Sequence, residues 1–215
     1  MTRRIDPSLI PHAPDLSFEH ALWKEGLFYI AGIDEAGRGC LAGPVTAAAV
    51  ILPRMEEVPG IYSAVRDSKQ ISSKVREREQ KVIEKHSLDW GVGYASNLEI
   101  DQFGIVPATR LAVSRALEEL TRQPQHLLVD YIVLPNNHLP QTRLVKGDAR
   151  SLSIAAASIL AKTHRDALMI TLAENYPIYD LATNKGYGTA FHREALNKFG
   201  PSPLHRLSFA PMRSK

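Results

Sequence analysis

Apolar residues cluster in short unbroken runs rather than alternating with polar ones, and several runs stop at a carboxylate. Residues 27–33 are apolar nearly throughout, as in a strand covered on both faces, and run straight into Asp34-Glu35. A glycine-rich turn follows, then a second strand over 45–52. A third is expected over 91–95, a fourth over 126–131 ending near Asp130, and a short fifth at Leu144-Val145 before Lys146-Gly147-Asp148. Helical spacing fills the gaps. Residues 73–86 are charged and carry a sparse apolar face of Val75, Val82 and Ile83. Pro107 stands at a first-turn position for a helix through 120, whose Val113, Ala116, Leu117 and Leu120 form one stripe. A long alanine-rich helix is predicted from 151 to about 175, where Pro177 stops it.

The order of these elements predicts a mixed α/β domain around a central sheet flanked by helices. Residues 1–26 read as an extension, kept irregular by Pro7, Pro11 and Pro14, with a short helix at 18–23. The α/β body spans 27–176. Residues 177–215 form a C-terminal part with a short helix at 190–198 and an irregular basic end.

A chain of 215 residues, 44% hydrophobic and 23% charged, has the composition of one globular core. The longest mostly apolar run, 41–52, is too short to span a bilayer, and the start lacks the apolar segment of a signal peptide. The single Cys40 allows no internal disulfide, and there is no Cys/His cluster of zinc spacing. A cytoplasmic protein with no membrane association is expected. A net charge of +3 and pI near 9.0 permit nucleic-acid binding without requiring it. Lysine and arginine are dense over 69–85 and again from 185 onward.

The position of the acids changes the picture. Asp34 and Glu35 follow one apolar strand, Asp130 closes another, and Asp148 follows a third. A charge near a core costs several kcal/mol unless it is compensated. Any one of them alone reads as well as a strand-end cap or an arginine partner. Four of them on three central strands point instead to a site for a hard divalent cation, Mg²⁺ or Mn²⁺, held by oxygen ligands. Adjacent strand residues face opposite sides, so Asp34 and Glu35 share such a site only where the strand ends or bends. The residues by themselves reach an acidic metal site suited to phosphoryl chemistry.

The stretch Gly32-Ile33-Asp34-Glu35-Ala36-Gly37-Arg38-Gly39-Cys40-Leu41-Ala42-Gly43-Pro44-Val45 resembles the opening motif of the ribonuclease HII family. Asp67-Ser68-Lys69, Val129-Asp130-Tyr131, Lys146-Gly147-Asp148, Arg165-Asp166 and Lys185-Gly186-Tyr187-Gly188-Thr189 resemble its later motifs, in order. The resemblance covers about residues 27–210. It implies a ribonuclease-H-like fold, a five-stranded mixed sheet whose helical C-terminal extension covers the substrate. It also implies a two-metal site of Asp34, Glu35, Asp130 and Asp148, with Asp166 as a further acid behind or among them; read by itself, Asp166 is equally a helix residue paired with Arg165 or a neighbour. By the same resemblance Gly37-Arg38-Gly39 would sense a ribose 2′-hydroxyl, Tyr187 would stack on the next sugar, and Lys69 and Ser68 would meet phosphates. The implied activity is metal-dependent cleavage 5′ of a ribonucleotide in RNA–DNA hybrids and in DNA duplexes carrying embedded ribonucleotides, by a monomer.

The sequence also admits two other readings. A recombination nuclease or exonuclease of the same two-metal type shares the acids but not the Gly-Arg-Gly turn with Tyr187. A non-catalytic nucleic-acid binding module would have little reason to gather four phosphate-repelling carboxylates. Cys40, His192 and His205 read as packing residues, solvated side chains are the simple reading of Lys74, Arg76 and Arg78, and Trp23 and Trp90 lack the spacing of a stacking platform.

Overall fold

The computed structural model describes residues 6, 10–66, 68, 71–135 and 137–212. Its five-stranded sheet comprises β1 (Ile30–Ala36), β2 (Val45–Ile51), β3 (Asp89–Ala95), β4 (His126–Asp130) and β5 (Gln141–Leu144). They lie in the order β3-β2-β1-β4-β5. The β1–β2 and β2–β3 pairs are antiparallel, and β4 runs parallel to both β1 and β5. The expected mixed sheet is the one found.

Seven helices surround it among the described residues: α1 (Ser17–Lys24), α2 (Ser73–His86), α3 (Asn97–Phe103), α4 (Ile105–Glu118), α5 (Leu152–Ala173), α6 (Leu181–Asn184) and α7 (Ala190–Phe199). Alternate strand residues feed two cores. Ile30, Ala48, Val50 and Leu128 pack toward α5, whereas Ala31, Ile33, Ala47, Leu127 and Val129 pack toward α4. Burial on both faces explains why these strands read as continuous apolar runs. A third cluster, including Leu41, Met169, Leu181 and Leu196, joins α5 to the C-terminal helices.

Two strands differ most from the sequence reading, each for a physical reason. β1 begins at Ile30 rather than Leu27, because the Phe28 and Tyr29 N–H groups donate to the Gln125 side chain instead of a ladder. It then continues through both acids to Ala36, opposite Thr46. β5 occupies 141–144 rather than 144–145; it is an edge strand in which only Leu144 is buried, so no apolar run announces it. Helix α3, absent from the hydrophobic pattern, is started by a reciprocal Ser96–Glu99 capping box.

One close approach positions the site. A Cβ on Gly32 would lie 2.2 Å from the Ser153 carbonyl carbon, so only glycine lets α5 settle directly on β1. That contact brings Ser158 of α5 toward Asp34, two residues along the same strand face.

Candidate active site

Parallel pairing of β1 and β4 sets Ile33 beside Val129, which places Asp34 and Asp130 side by side one residue further on. Asp148 enters from the 3-10 turn Gly147–Ala149 that leads into α5. That turn is tied to β4 by Gly147 N–H, which donates to Asp130 Oδ1 at 2.9 Å. One carboxylate oxygen from each of Asp34, Asp130 and Asp148 lies within 4.8 Å of the others.

The electrostatics of the cluster favour a cation. Asp34 is 4% exposed, and its carboxyl is held well above the ordinary carboxylate range, chiefly by burial. Glu35, Asp130 and Asp148 push it further in the same direction, while the Ser158 hydroxyl offsets part of the rise. Asp34 Oδ1 accepts from Glu35 N–H at 2.7 Å, but Oδ2 is buried with no hydrogen-bond partner among the described residues. Three oxygen donors with an unsatisfied buried carboxylate oxygen and no sulfur or imidazole fit a hard divalent ion.

Glu35 lies outside the three-way cluster, as its alternate position on a still-paired strand requires. The bend expected to bring it together with Asp34 comes only after Ala36. Its Oε1 accepts from Arg38 Nη1 at 2.9 Å, so the acid also steadies the turn that follows. Gly37 opens that turn with φ +87° and sits against Arg165, whose Nε would be 2.0 Å from a Cβ there. No side chain fits at this position.

Residues 31–212 match the family model described as ribonuclease HII. The chain belongs to the ribonuclease HII family. A ribonuclease HII of Chloroflexus aurantiacus is 54% identical over 200 residues, 93% of this chain and 94% of that one. Among solved structures, ribonuclease H2 of Pyrococcus horikoshii covers 86% of this chain and 95% of its own at 26% identity, with a TM-score of 0.69. The ribonuclease HII in a PCNA complex from Archaeoglobus fulgidus gives 0.70 at 25% identity, over 86% of this chain and 97% of its own. The chain is accordingly an endoribonuclease of the ribonuclease H type.

The remaining expected ribonuclease HII residues are placed as follows. Tyr187 is 41% exposed beside the Gly37–Gly39 turn's supports, with Lys162 Nζ 5.3 Å and Arg165 Cζ 6.0 Å from its ring centre. Ser68 is 3% exposed and its hydroxyl is hydrogen-bonded to Ser158 at 3.0 Å, behind Asp34. Lys69 lies outside the described residues, as does Asp67 of the same motif. Asp166 is paired with its helix neighbour Lys162 at 2.8 Å, and its second oxygen is 4.0 Å from Arg76. Cys40 is buried and free.

Three arginines do more than the sequence suggested. Arg76 is not the solvated side chain expected: its Nη1 donates to the Ser68 and Ile71 carbonyls at 2.7 and 2.6 Å. Arg165 and Arg206 are both fully buried and donate to backbone carbonyls of the 37–44 segment. Burial lowers the Arg206 pKa to about 10. A basic residue in a basic tail gives no sequence signal that it will be buried, so Arg206 was not legible.

No helix among the described residues is long and apolar enough to cross a membrane.

Proposed function

We propose that this enzyme hydrolyses the phosphodiester on the 5′ side of a ribonucleotide, in RNA–DNA hybrids and in DNA duplexes with embedded ribonucleotides, leaving a 3′-hydroxyl and a 5′-phosphate. The observation that carries the reading is the Asp34–Asp130–Asp148 cluster, with Asp34 and Asp148 buried and Asp130 half-buried, beside a turn whose exposed Gly39 leaves open space where a side chain would stand.

In this reading Asp34, Asp130 and Asp148, with Glu35 alongside, would hold Mn²⁺ or Mg²⁺. Bound there, such an ion lowers the pKa of a water and stabilises charge on the departing oxygen, so no histidine base is needed. Gly37, Arg38 and Gly39 meet the 2′-hydroxyl, the group that separates RNA from DNA at one position. Arg38 adds a planar cation for a neighbouring phosphate. Tyr187 stacks on the following deoxyribose, and Lys69 binds phosphate. Ser68 can donate to phosphate only when Ser158 is the donor in the bond between them. The C-terminal helices cover the substrate. The enzyme works as a cytoplasmic monomer that removes ribonucleotides from DNA.

The test is cleavage of a labelled DNA duplex carrying one ribonucleotide, with Mn²⁺ or Mg²⁺, beside an all-DNA control and the Asp34→Asn protein. A cut 5′ of the ribonucleotide, absent from both controls, is the expected result. Cutting of the all-DNA duplex would favour a general two-metal nuclease, and no turnover with either metal would favour a binding module.

A further inference from the structure

Arg165 and Arg206 are charged yet fully buried, and among the described residues neither has a carboxylate within ion-pair distance. Their donors go to main-chain carbonyls. Arg165 bonds Pro44, Ala42 and Lys185 at 2.9, 3.1 and 2.8 Å, joining the 37–44 segment to the one that carries Tyr187. Arg206 bonds Gly43, Arg38 and Gly37 at 2.9, 2.9 and 2.7 Å. A buried cation of this kind costs folding free energy, which makes its placement informative.

The consequence for the turn follows from the planar trans peptide, in which each C=O points opposite to the next residue's N–H. Drawing the Gly37 and Arg38 carbonyls inward to one guanidinium turns the N–H groups of Arg38 and Gly39 outward. Gly37 is buried while Gly39 is exposed, as that orientation requires. Neither outward N–H has a hydrogen-bond partner among the described residues. Two adjacent free donors on a held backbone form a concavity for an electronegative group.

We propose that Arg206 is a positioning residue for ribose discrimination: by clamping the Gly37 and Arg38 carbonyls it aims the Arg38 and Gly39 N–H groups at the ribonucleotide's 2′ oxygen. This rests on the assignment of Gly37-Arg38-Gly39 as the sugar sensor. Arg206 itself touches no substrate.

The experiment compares single-turnover cleavage, with Mn²⁺, of duplexes bearing one ribonucleotide or one 2′-fluoro-2′-deoxynucleotide at the same position. The fluorine keeps the 2′ substituent but donates nothing and accepts poorly. Wild type, Arg206→Lys and Phe209→Leu are measured; the Phe209 ring lies 5.2 Å from the Arg206 guanidinium, so its truncation loosens the clamp without altering its donors. Lysine keeps the charge but cannot hold three divergent carbonyls.

The expected result is that the ribose-to-fluoro rate ratio drops about tenfold or more in Arg206→Lys, the scale of a lost hydrogen bond or two. Binding of an all-DNA duplex without metal should hold within about twofold, since it depends on phosphate contacts. Equal slowing on both substrates, with the ratio preserved, would make Arg206 a scaffold residue and overturn the proposal. If Arg206→Lys does not fold, Phe209→Leu decides in the same way: a lowered ratio supports the clamp and an unchanged one rejects it. A wild-type ratio near one would instead reject the sensor assignment itself.

Discussion

The Nε2 atoms of His192 and His205 face each other at 2.9 Å, and their neighbours decide which one carries the proton. His192 Nδ1 lies 2.9 Å from the Tyr187 carbonyl and must donate to it, which leaves His192 Nε2 as an acceptor. His205 Nε2 is therefore the donor, and its Nδ1 accepts from Ser202 N–H at 2.9 Å. The chain is complete with both rings neutral. A further proton would set two donors against each other behind Tyr187.

Stability should fall on acidification for this reason. Burial and the facing ring lower the His205 pKa to about 4, and burial lowers that of His192. The unfolded chain therefore binds more protons between about pH 4 and 6.5, so stability is full above that window and is lost as pH drops through it. The loss from His205 should be about 2 kcal/mol after screening. Thermal unfolding at pH 7.5 and 5.0 should show a larger fall for wild type than for His205→Gln. Parallel falls would place the sensitivity elsewhere.

Asp34→Asn should abolish cleavage and yet stabilise the metal-free protein. Burial, then Glu35, Asp130 and Asp148, raise the Asp34 pKa in the folded state. That cost is absent below the unfolded value and grows as pH rises through the folded one, so it is present at neutral pH without metal. Removing it should lift the melting temperature by about 2–4 °C per kcal/mol relieved. Added Mn²⁺ should raise the wild-type midpoint more than the variant's. A variant less stable than the metal-free wild type would show that the carboxylate is compensated in the apo protein.

The acids were legible because a carboxylate closing an apolar strand conflicts with its surroundings, and the sheet register then explains why Asp34 meets Asp130. Glu35 was harder, since its place depends on where pairing stops, and β1 stays paired past it to Ala36. The start of strand β5 and the whole of helix α3 were unreadable from periodicity, one being an exposed edge and the other defined by its cap. The buried arginines escaped for a different reason: their partners are backbone carbonyls supplied by segments far away in the chain, which no side-chain pattern records. Asp166 could be read either as a ligand or as a helix pair, and its position beside Lys162 favours the pair.

Residues before β1 should matter to the fold of the whole α/β body. Glu19 of α1 is buried, and its Oε1 accepts from Ser151 Oγ, Ser153 N–H and Ser153 Oγ at 2.7, 3.0 and 2.6 Å. These groups open α5, where a negative charge also complements the helix dipole. Leu16 and Trp23 are buried in the core that α5 shares with the sheet. Glu19→Ala should cost about 3 kcal/mol in denaturant unfolding, the scale of charged hydrogen bonds lost with their donors left buried. Glu19→Gln should cost less. A loss below about 1 kcal/mol for alanine would mean that α1 is only laid against the body.

Asp148 and Asp166 should separate cleanly when each is changed to asparagine. Asp148 shares the 4.8 Å cluster with Asp34 and Asp130, so Asp148→Asn should remove most Mn²⁺-induced stabilisation and lower kcat by about a thousandfold, a loss of several kcal/mol. Asp166 instead receives Lys162 and lies near Arg76, the residue that holds the Ser68 and Ile71 carbonyls. Its removal frees those cations and loosens the loop toward the substrate backbone. Asp166→Asn should therefore keep the Mn²⁺ shift in melting temperature and raise KM more than it lowers kcat, within about fivefold, the range of a partly exposed ion pair. If instead it loses the Mn²⁺ shift as fully as Asp148→Asn does, Asp166 turns from Lys162 to the ion during the catalytic cycle and counts among the ligands.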